Sequence, residues 1–301
     1  MNNLFVYTFY RFKNLKNIDQ HKSIFDKYLL NRNIKGTILI ANEGINGSIS
    51  GSRRRLDEFI KFLKSYLNIR KLDIKINQTE FYPFNRMKVR LKNEIVSLGQ
   101  GEIDVNKYRG RLVEPKHWDK ITSDKNTTII DVRNEFEIEI GKFENSINPK
   151  TKNFREFPKV FKEMKINKED AIAMYCTGGI RCEKASAFLK KGGYKNIFQL
   201  KGGIINYLKL KNEKKQKSKW VGECFVFDDR VTINKNLLRG KYIQCYGCRR
   251  PLTKKDVRSN AYRKGIHCPY CVNERSARQI RNSESRQAQI NISKRKLLTT
   301  H

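Results

Sequence analysis

The pattern of apolar and polar residues divides this chain into three regions. Near the amino end FVYTFYRF alternates in the manner of a strand, and Ile24, Phe25, Tyr28 and Leu29 then recur at helical spacing. GTILIANEGINGSISG reads as two strands joined by a turn rich in glycine and asparagine, after which Leu56, Phe59, Ile60, Leu63 and Leu67 share one helical face. LDIKI completes a β-α-β-β-α-β order, with RMKVRLK as a further strand, and this predicts a ferredoxin-like α+β domain with its linker over residues 1–112. In the last of these strands Met87, Val89 and Leu91 alternate with Lys88, Arg90 and Lys92. One face therefore turns to a core and the other is wholly basic, either a solvated edge or a surface for RNA.

From residue 113 to 212 the alternation gives way to short unbroken apolar runs, TTIIDV and AIAMYC, typical of strands covered on both faces. A parallel α/β domain is expected. Its strands end on Asp131 with Arg133 and on Cys176, and open α/β sheets place their sites just beyond such carboxyl ends. Asp131 and Arg133 are accordingly expected beside the loop that follows Cys176, orienting the thiol or a bound ring.

Residues 213–301 lose regular periodicity. A charged linker, KNEKKQKSK, leads into a cysteine-rich module and a basic tail, RQIRNSESRQAQINISKRK. The whole chain has 64 Lys+Arg against 30 Asp+Glu, a formal charge of +34, and residues 211–301 hold 23 and 7 of these, a net +16. A codon bias toward lysine would spread the surplus evenly. Its concentration points to a polyanionic partner, and nucleic acid is the abundant one in a cell. No stretch approaches the ~18 apolar residues that a membrane span needs, and the amino terminus lacks the pattern of a secretory leader. A cytoplasmic protein is expected, with no membrane partner. Its seven cysteines are then metal ligands or reactive thiols before they are disulfides.

Cys245-x2-Cys248 and Cys268-x2-Cys271, 19 residues apart, have the spacing of a zinc ribbon, in which each short turn presents two sulfurs to one tetrahedral ion. Four thiolates saturate the ion, so its role would be structural. Cys224 and His267 lie nearby as spare ligands, and Arg249 and Arg250 suggest that the scaffold carries a basic surface.

The sequence YCTGGIRC carries the chemistry. Cys176, Thr177, Gly178, Gly179, Ile180 and Arg181 form a six-residue loop between an apolar run and a helical stripe of Cys182, Ala185 and Leu189. The glycines let backbone N–H groups converge on the sulfur, while Arg181 and a helix amino terminus add positive potential. All three favour thiolate over thiol. Cysteine phosphatases use a longer loop, and Tyr175 stands where they carry histidine. Cys182 either resolves an adduct on Cys176 or is simply buried.

IIDVRNEFEIEIGKFENSIN, YCTGGIRCEKASAFL and LKGGIINYL resemble, in order, the motifs of a rhodanese domain. Together with ANEGINGSISG, CFVFDDRV, QCYGCRRPL and CPYC, they resemble the bacterial tRNA uridine-34 hydroxylase family over nearly the whole chain. Gly141-Lys142-Phe143 and Asn145-Ser146 depart from the usual rhodanese pattern in a structural turn. The resemblance implies oxygen-dependent conversion of the wobble uridine of tRNA to 5-hydroxyuridine. Dioxygen would be co-substrate, the anticodon arm the partner and the Cys176 loop the site. No flavin, haem or nucleotide motif is visible. Two alternatives stay open: a sulfurtransferase working through a Cys176 persulfide, and a non-catalytic RNA-binding protein.

Overall fold

The computed structural model describes residues 3–299, with the side chains of 293–299 left out of the description. The chain divides into two compact units. One runs to Asp228 and includes Ile233–Leu238, and the other comprises Asp229–Thr232 and the residues from Arg239 onward.

The first unit opens with β1 (Leu4–Phe12), α1 (Ile18–Leu29), β2 (Lys35–Ala41), β3 (Gly44–Ser52), α2 (Arg53–Tyr66), β4 (Asp73–Thr79) and β5 (Met87–Leu91). Their sheet has the order β4-β1-β3-β2-β5. Its first four strands are antiparallel in the ferredoxin-like order, and β5 adds a fifth at the edge, parallel to β2. Phe25 and Leu29 of α1 and Leu56, Phe59, Ile60 and Leu63 of α2 bury the apolar stripes legible in the sequence against one face of this sheet. Along β5, Val89 is buried and Arg90 exposed, as the alternation predicts, whereas Lys88 is half-buried and Lys92 lies just beyond the strand in solvent.

The parallel sheet follows. After α3 (Val105–Tyr108) come β6 (Arg111–Val113), α4 (Pro115–Thr122), β7 (Thr127–Asp131), α5 (Glu135–Ile138), β8 (Gly141–Phe143), α6 (Phe157–Glu163), β9 (Ala171–Tyr175), α7 (Ile180–Lys191), β10 (Ile197–Leu200), α8 (Gly203–Glu213) and β11 (Trp220–Gly222). The strand order is β6-β10-β9-β7, all parallel. Side chains alternate between two cores: Ile129, Ala173 and Tyr175 face one, while Ile130, Ile172, Met174 and Cys176 face the other. That double burial is why these strands read as continuous apolar runs.

The second core also takes in Tyr10, Phe12 and Ala41 from the first sheet and Ile95, Leu98 and Ile103 from the connection. The two sheets thus share a core. The expected boundary at residue 213 falls at the end of α8, and β11 pairs with β8, so the chain stays in the first unit as far as Asp228. The departures in the rhodanese-like turn are absorbed here. Phe143 packs on Tyr175, Tyr207 and Trp220, and Ser146 Oγ lies 2.7 Å from the Tyr175 hydroxyl.

In the second unit Ile243–Gln244 pairs with Pro251–Leu252, and a short helix, Lys254–Arg258, precedes a long one, Ala277–Thr299. The long helix is tied to the cysteine-rich part by Arg286, whose Nη2 donates to the Gly265 carbonyl at 2.8 Å. Among the described residues no helix is long and apolar enough to cross a membrane.

Candidate active site

Cys176 leaves β9 at its carboxyl end and is 1% exposed. The loop turns through Gly179, whose φ of +101° suits a residue without a Cβ, and α7 starts at Ile180. Gly179 donates its N–H to Cys176 Sγ at 3.1 Å. Burial by itself pushes this thiol up. The Cys182 thiol donating to it, the Arg181 guanidinium and the N–H groups of Cys182 and Gly179 outweigh burial and bring it down to about 5. Cys182, fully buried, is pushed well up by burial and then by the adjacent Cys176 sulfur, so it stays a thiol and a donor. The loop sulfur is therefore a thiolate at neutral pH.

The loop is also fastened from behind. The carbonyls of Cys176 and Thr177 accept from Ile204 N–H at 3.0 Å and Ile205 N–H at 3.2 Å, in the first turn of α8. A Cβ on Gly203 would stand 2.4 Å from the Cys176 oxygen, so only glycine permits this approach. On the other side, nothing lies within 4 Å of where a Gly178 Cβ would be.

Arg181 makes a paired contact with Glu137, Nη1 to Oε1 at 2.6 Å and Nη2 to Oε2 at 2.8 Å. Glu137, fully buried, is the site residue that sequence reading missed. Its only local signal is the Asn134-x-x-Glu137 spacing that forms a capping box for α5. Asp131 and Arg133, expected beside the loop to orient the thiol or a bound ring, are both buried, with side chains 0% exposed. Arg133 spends Nε and Nη2 on Asp131, and its remaining bonds go to the carbonyls of Glu137 and Gly141. Asp131 with Arg133 and Glu137 with Arg181 form two buried ion pairs, linked where Arg133 donates to the Glu137 carbonyl, and Cys176 lies in the field of Arg181. Each buried charge has a partner, which is the condition for keeping charges out of water.

Two elements outside the parallel sheet border the loop. The Tyr10 hydroxyl of β1 donates to Glu183 of α7 at 2.9 Å, and a Cβ on Gly179 would lie 3.0 Å from that hydroxyl. Thr177 Oγ1 donates to the Phe225 carbonyl at 3.5 Å. Cys224, the spare ligand of the sequence reading, belongs here and not with the other cysteines. It is fully buried, and burial pushes its thiol up to about 12 despite the nearby Arg133.

In the second unit the sulfurs of Cys245, Cys248, Cys268 and Cys271 all lie within 4.8 Å of one another. Cys245–Cys271 is 4.0 Å, and Cys248–Cys268 and Cys268–Cys271 are each 3.7 Å. A tetrahedral zinc with bonds of about 2.3 Å sets its sulfurs about 3.8 Å apart, whereas a disulfide needs about 2 Å. The four residues fit zinc, with no position left for substrate. His267 is not part of this group, and its Nδ1 lies 2.9 Å from the Ala261 carbonyl. Arg249 lies over Tyr246 at 5.5 Å and Arg250 over Tyr270 at 5.9 Å, and both tyrosines are exposed. Cationic and aromatic groups so paired are suited to phosphates and bases.

Residues 4–95 match the family model described as UPF0176 acylphosphatase like domain, and residues 114–210 that of the Rhodanese-like domain. A tRNA uridine(34) hydroxylase of Pelagibacter ubique (strain HTCC1062) is 45% identical over 291 residues, covering 96% of this chain and 95% of that protein. Among solved structures, a rhodanese-related protein from Thermoplasma volcanium is 27% identical, covering 37% of this chain and 97% of its own, with a TM-score of 0.29. A rhodanese-like domain protein from Staphylococcus aureus is 22% identical, covering 32% and 90%, with a TM-score of 0.28.

Proposed function

The chain belongs to the tRNA uridine(34) hydroxylase family, and we propose that it performs that family's reaction with Cys176 as nucleophile. It is an enzyme, and it hydroxylates the wobble uridine of tRNA. The product is 5-hydroxyuridine and dioxygen supplies the oxygen atom. The observation that carries this reading is the Cys176 sulfur in its loop, accepting the Gly179 N–H at 3.1 Å beside the Arg181 guanidinium, an arrangement that favours the thiolate.

Uracil is electrophilic at C6. Addition of the thiolate there leaves an electron pair at C5, and that carbon attacks dioxygen to give, after protonation, a C5 hydroperoxide. Two electrons and two protons from an external thiol reductant cleave the O–O bond, leaving the C5 hydroxyl and water. Loss of the C5 proton then expels the Cys176 thiolate and restores the C5–C6 double bond. A thiolate this stable serves both as attacking and as leaving group. Glu137 positions Arg181, and Asp131 with Arg133 positions Glu137.

A base inside a stacked anticodon cannot meet a sulfur that is 1% exposed, so the uridine must be extruded toward the loop. The basic second unit, with zinc on Cys245, Cys248, Cys268 and Cys271, and the strand bearing Lys88 and Arg90 would hold the anticodon arm, in the cytoplasm where tRNA resides.

The test is tRNA carrying 5-fluorouridine at the wobble position, incubated with persulfide-free enzyme. A covalent adduct mapped to Cys176 is expected, together with loss of 5-hydroxyuridine in nucleosides made by Cys176→Ala. No adduct, with turnover that requires a sulfur donor, would replace direct addition by a persulfide route.

A further inference from the structure

Residues 224–228 are buried except at one position. Cys224, Phe225, Val226 and Asp228 are 0%, 1%, 4% and 6% exposed, whereas Phe227 is 64% exposed. A single exposed apolar ring is ordinary on a protein surface. What sets this one apart is its place beside the reactive loop.

The Phe227 ring centre lies 5.7 Å from the Arg181 guanidinium carbon. Arg181 is itself the last residue of the loop, its Nη2 3.4 Å from Thr177 Oγ1. Phe227 is braced edge to face by Phe225 at 5.0 Å, and Phe225 in turn by Phe136 at 5.2 Å. The Phe225 carbonyl receives the Thr177 hydroxyl, so this aromatic row is fastened to the loop residue next to Cys176. The ring is thus exposed, held in place and one side chain from the loop, whose Gly178 side is open.

We propose that Phe227 is the surface on which the extruded wobble uracil stacks during attack by Cys176. A base taken out of a helix loses the neighbours on both its faces, and proteins that read single-stranded RNA replace them with aromatic rings. Uracil is planar, uncharged and close to a phenyl ring in size. Arg181, with one end committed to Glu137, fixes the near side of the stack. The inference rests on the hydroxylase reading and adds to it the residue that receives the base.

The experiment uses the full-length enzyme and an anticodon stem-loop with 5-iodouridine at the wobble position, photo-crosslinked and mapped by mass spectrometry. The crosslink is expected at Phe227. A crosslink confined to other residues overturns the proposal. In parallel, kcat/KM for tRNA is measured for three substitutions. Phe227→Ala is expected to fall about tenfold or more, the order found when a stacking ring is truncated. Phe227→Leu, apolar but without a ring face, should fall with it, and Phe227→Trp should fall less than either. Leucine performing as well as phenylalanine would reduce the contact to greasiness and overturn the proposal. A crosslink at Phe227 in an enzyme that makes no 5-hydroxyuridine would sustain the stacking site while removing the hydroxylase reading.

Discussion

Lys184 reaches Glu43 across 141 residues of sequence, its ammonium 2.6 Å from Glu43 Oε2. The same ammonium lies 2.5 Å from Glu94 Oε2 and donates to the Val96 carbonyl at 3.1 Å, and its side chain is 0% exposed. One buried cation thus pins the catalytic helix α7 to the ANEGING turn of the first sheet and to the connection between the sheets.

Lys184→Met keeps the bulk but leaves two carboxylates facing each other, and a loss of about 3 kcal/mol is expected from breaking such a pair. Urea unfolding checks it as a lower midpoint at unchanged slope. Burial pushes the Glu94 carboxyl up, but Lys184 and the N–H groups of Leu98 and Gly99 outweigh that and hold it below its ordinary 4.5. A depressed carboxylate stabilises the fold above its ordinary value, and that contribution is lost as the pH falls through the lowered one. The acid-side loss of stability should therefore be shallower in Lys184→Met. An identical acid limb in both proteins would take Glu94 out of the account.

Alkylation of Cys176 by iodoacetamide should rise with pH about a midpoint near 5 and be level at neutrality, because the reacting form is already present there. Cys182→Ala removes a donor to the sulfur, so the midpoint should move up toward the ordinary thiol range. Each unit of movement represents about 1.4 kcal/mol. Formation of 5-hydroxyuridine by that variant should suffer more at pH 6 than at pH 8. A wild-type midpoint near that of a free thiol would show that the donors around Cys176 do not act as described.

The second unit has little apolar interior of its own. Its buried cluster is Leu252 with Cys245, Cys268 and Cys271, flanked by Cys248, Val257 and Tyr262. An interior this small would depend on a metal held by the four thiolates. The purified protein should carry about one zinc per chain with sulfur-only ligation in its X-ray absorption spectrum. Chelation, or Cys248→Ser, should open residues 239–292 to protease while those before 228 stay protected. Metal-free protein with an intact second unit would contradict this.

The helical stripes, the runs of the parallel sheet and the four-cysteine spacing were legible because each is a pattern within a few residues of itself. The Cys176 loop was legible for the same reason, its glycines and Arg181 lying next to the thiol. What the sequence hid was contact between distant parts. Glu137 looks like any helix-cap acid until Arg181 is seen to end on it, and Phe227 looks like core until its neighbours are seen to take the interior. Asp131 and Arg133 were legible as a polar pair at a strand end, but not that each satisfies the other inside the protein. The edge position of β5 was hidden too, since strand periodicity says nothing about which neighbour a strand will choose.

The carbonyls of Cys176 and Thr177 are tied to the start of α8, and Gly203 alone makes that approach possible. A loop anchored in this way holds the sulfur and its donors in register before any base arrives, so the ordering of the nucleophile is met in folding rather than at each encounter.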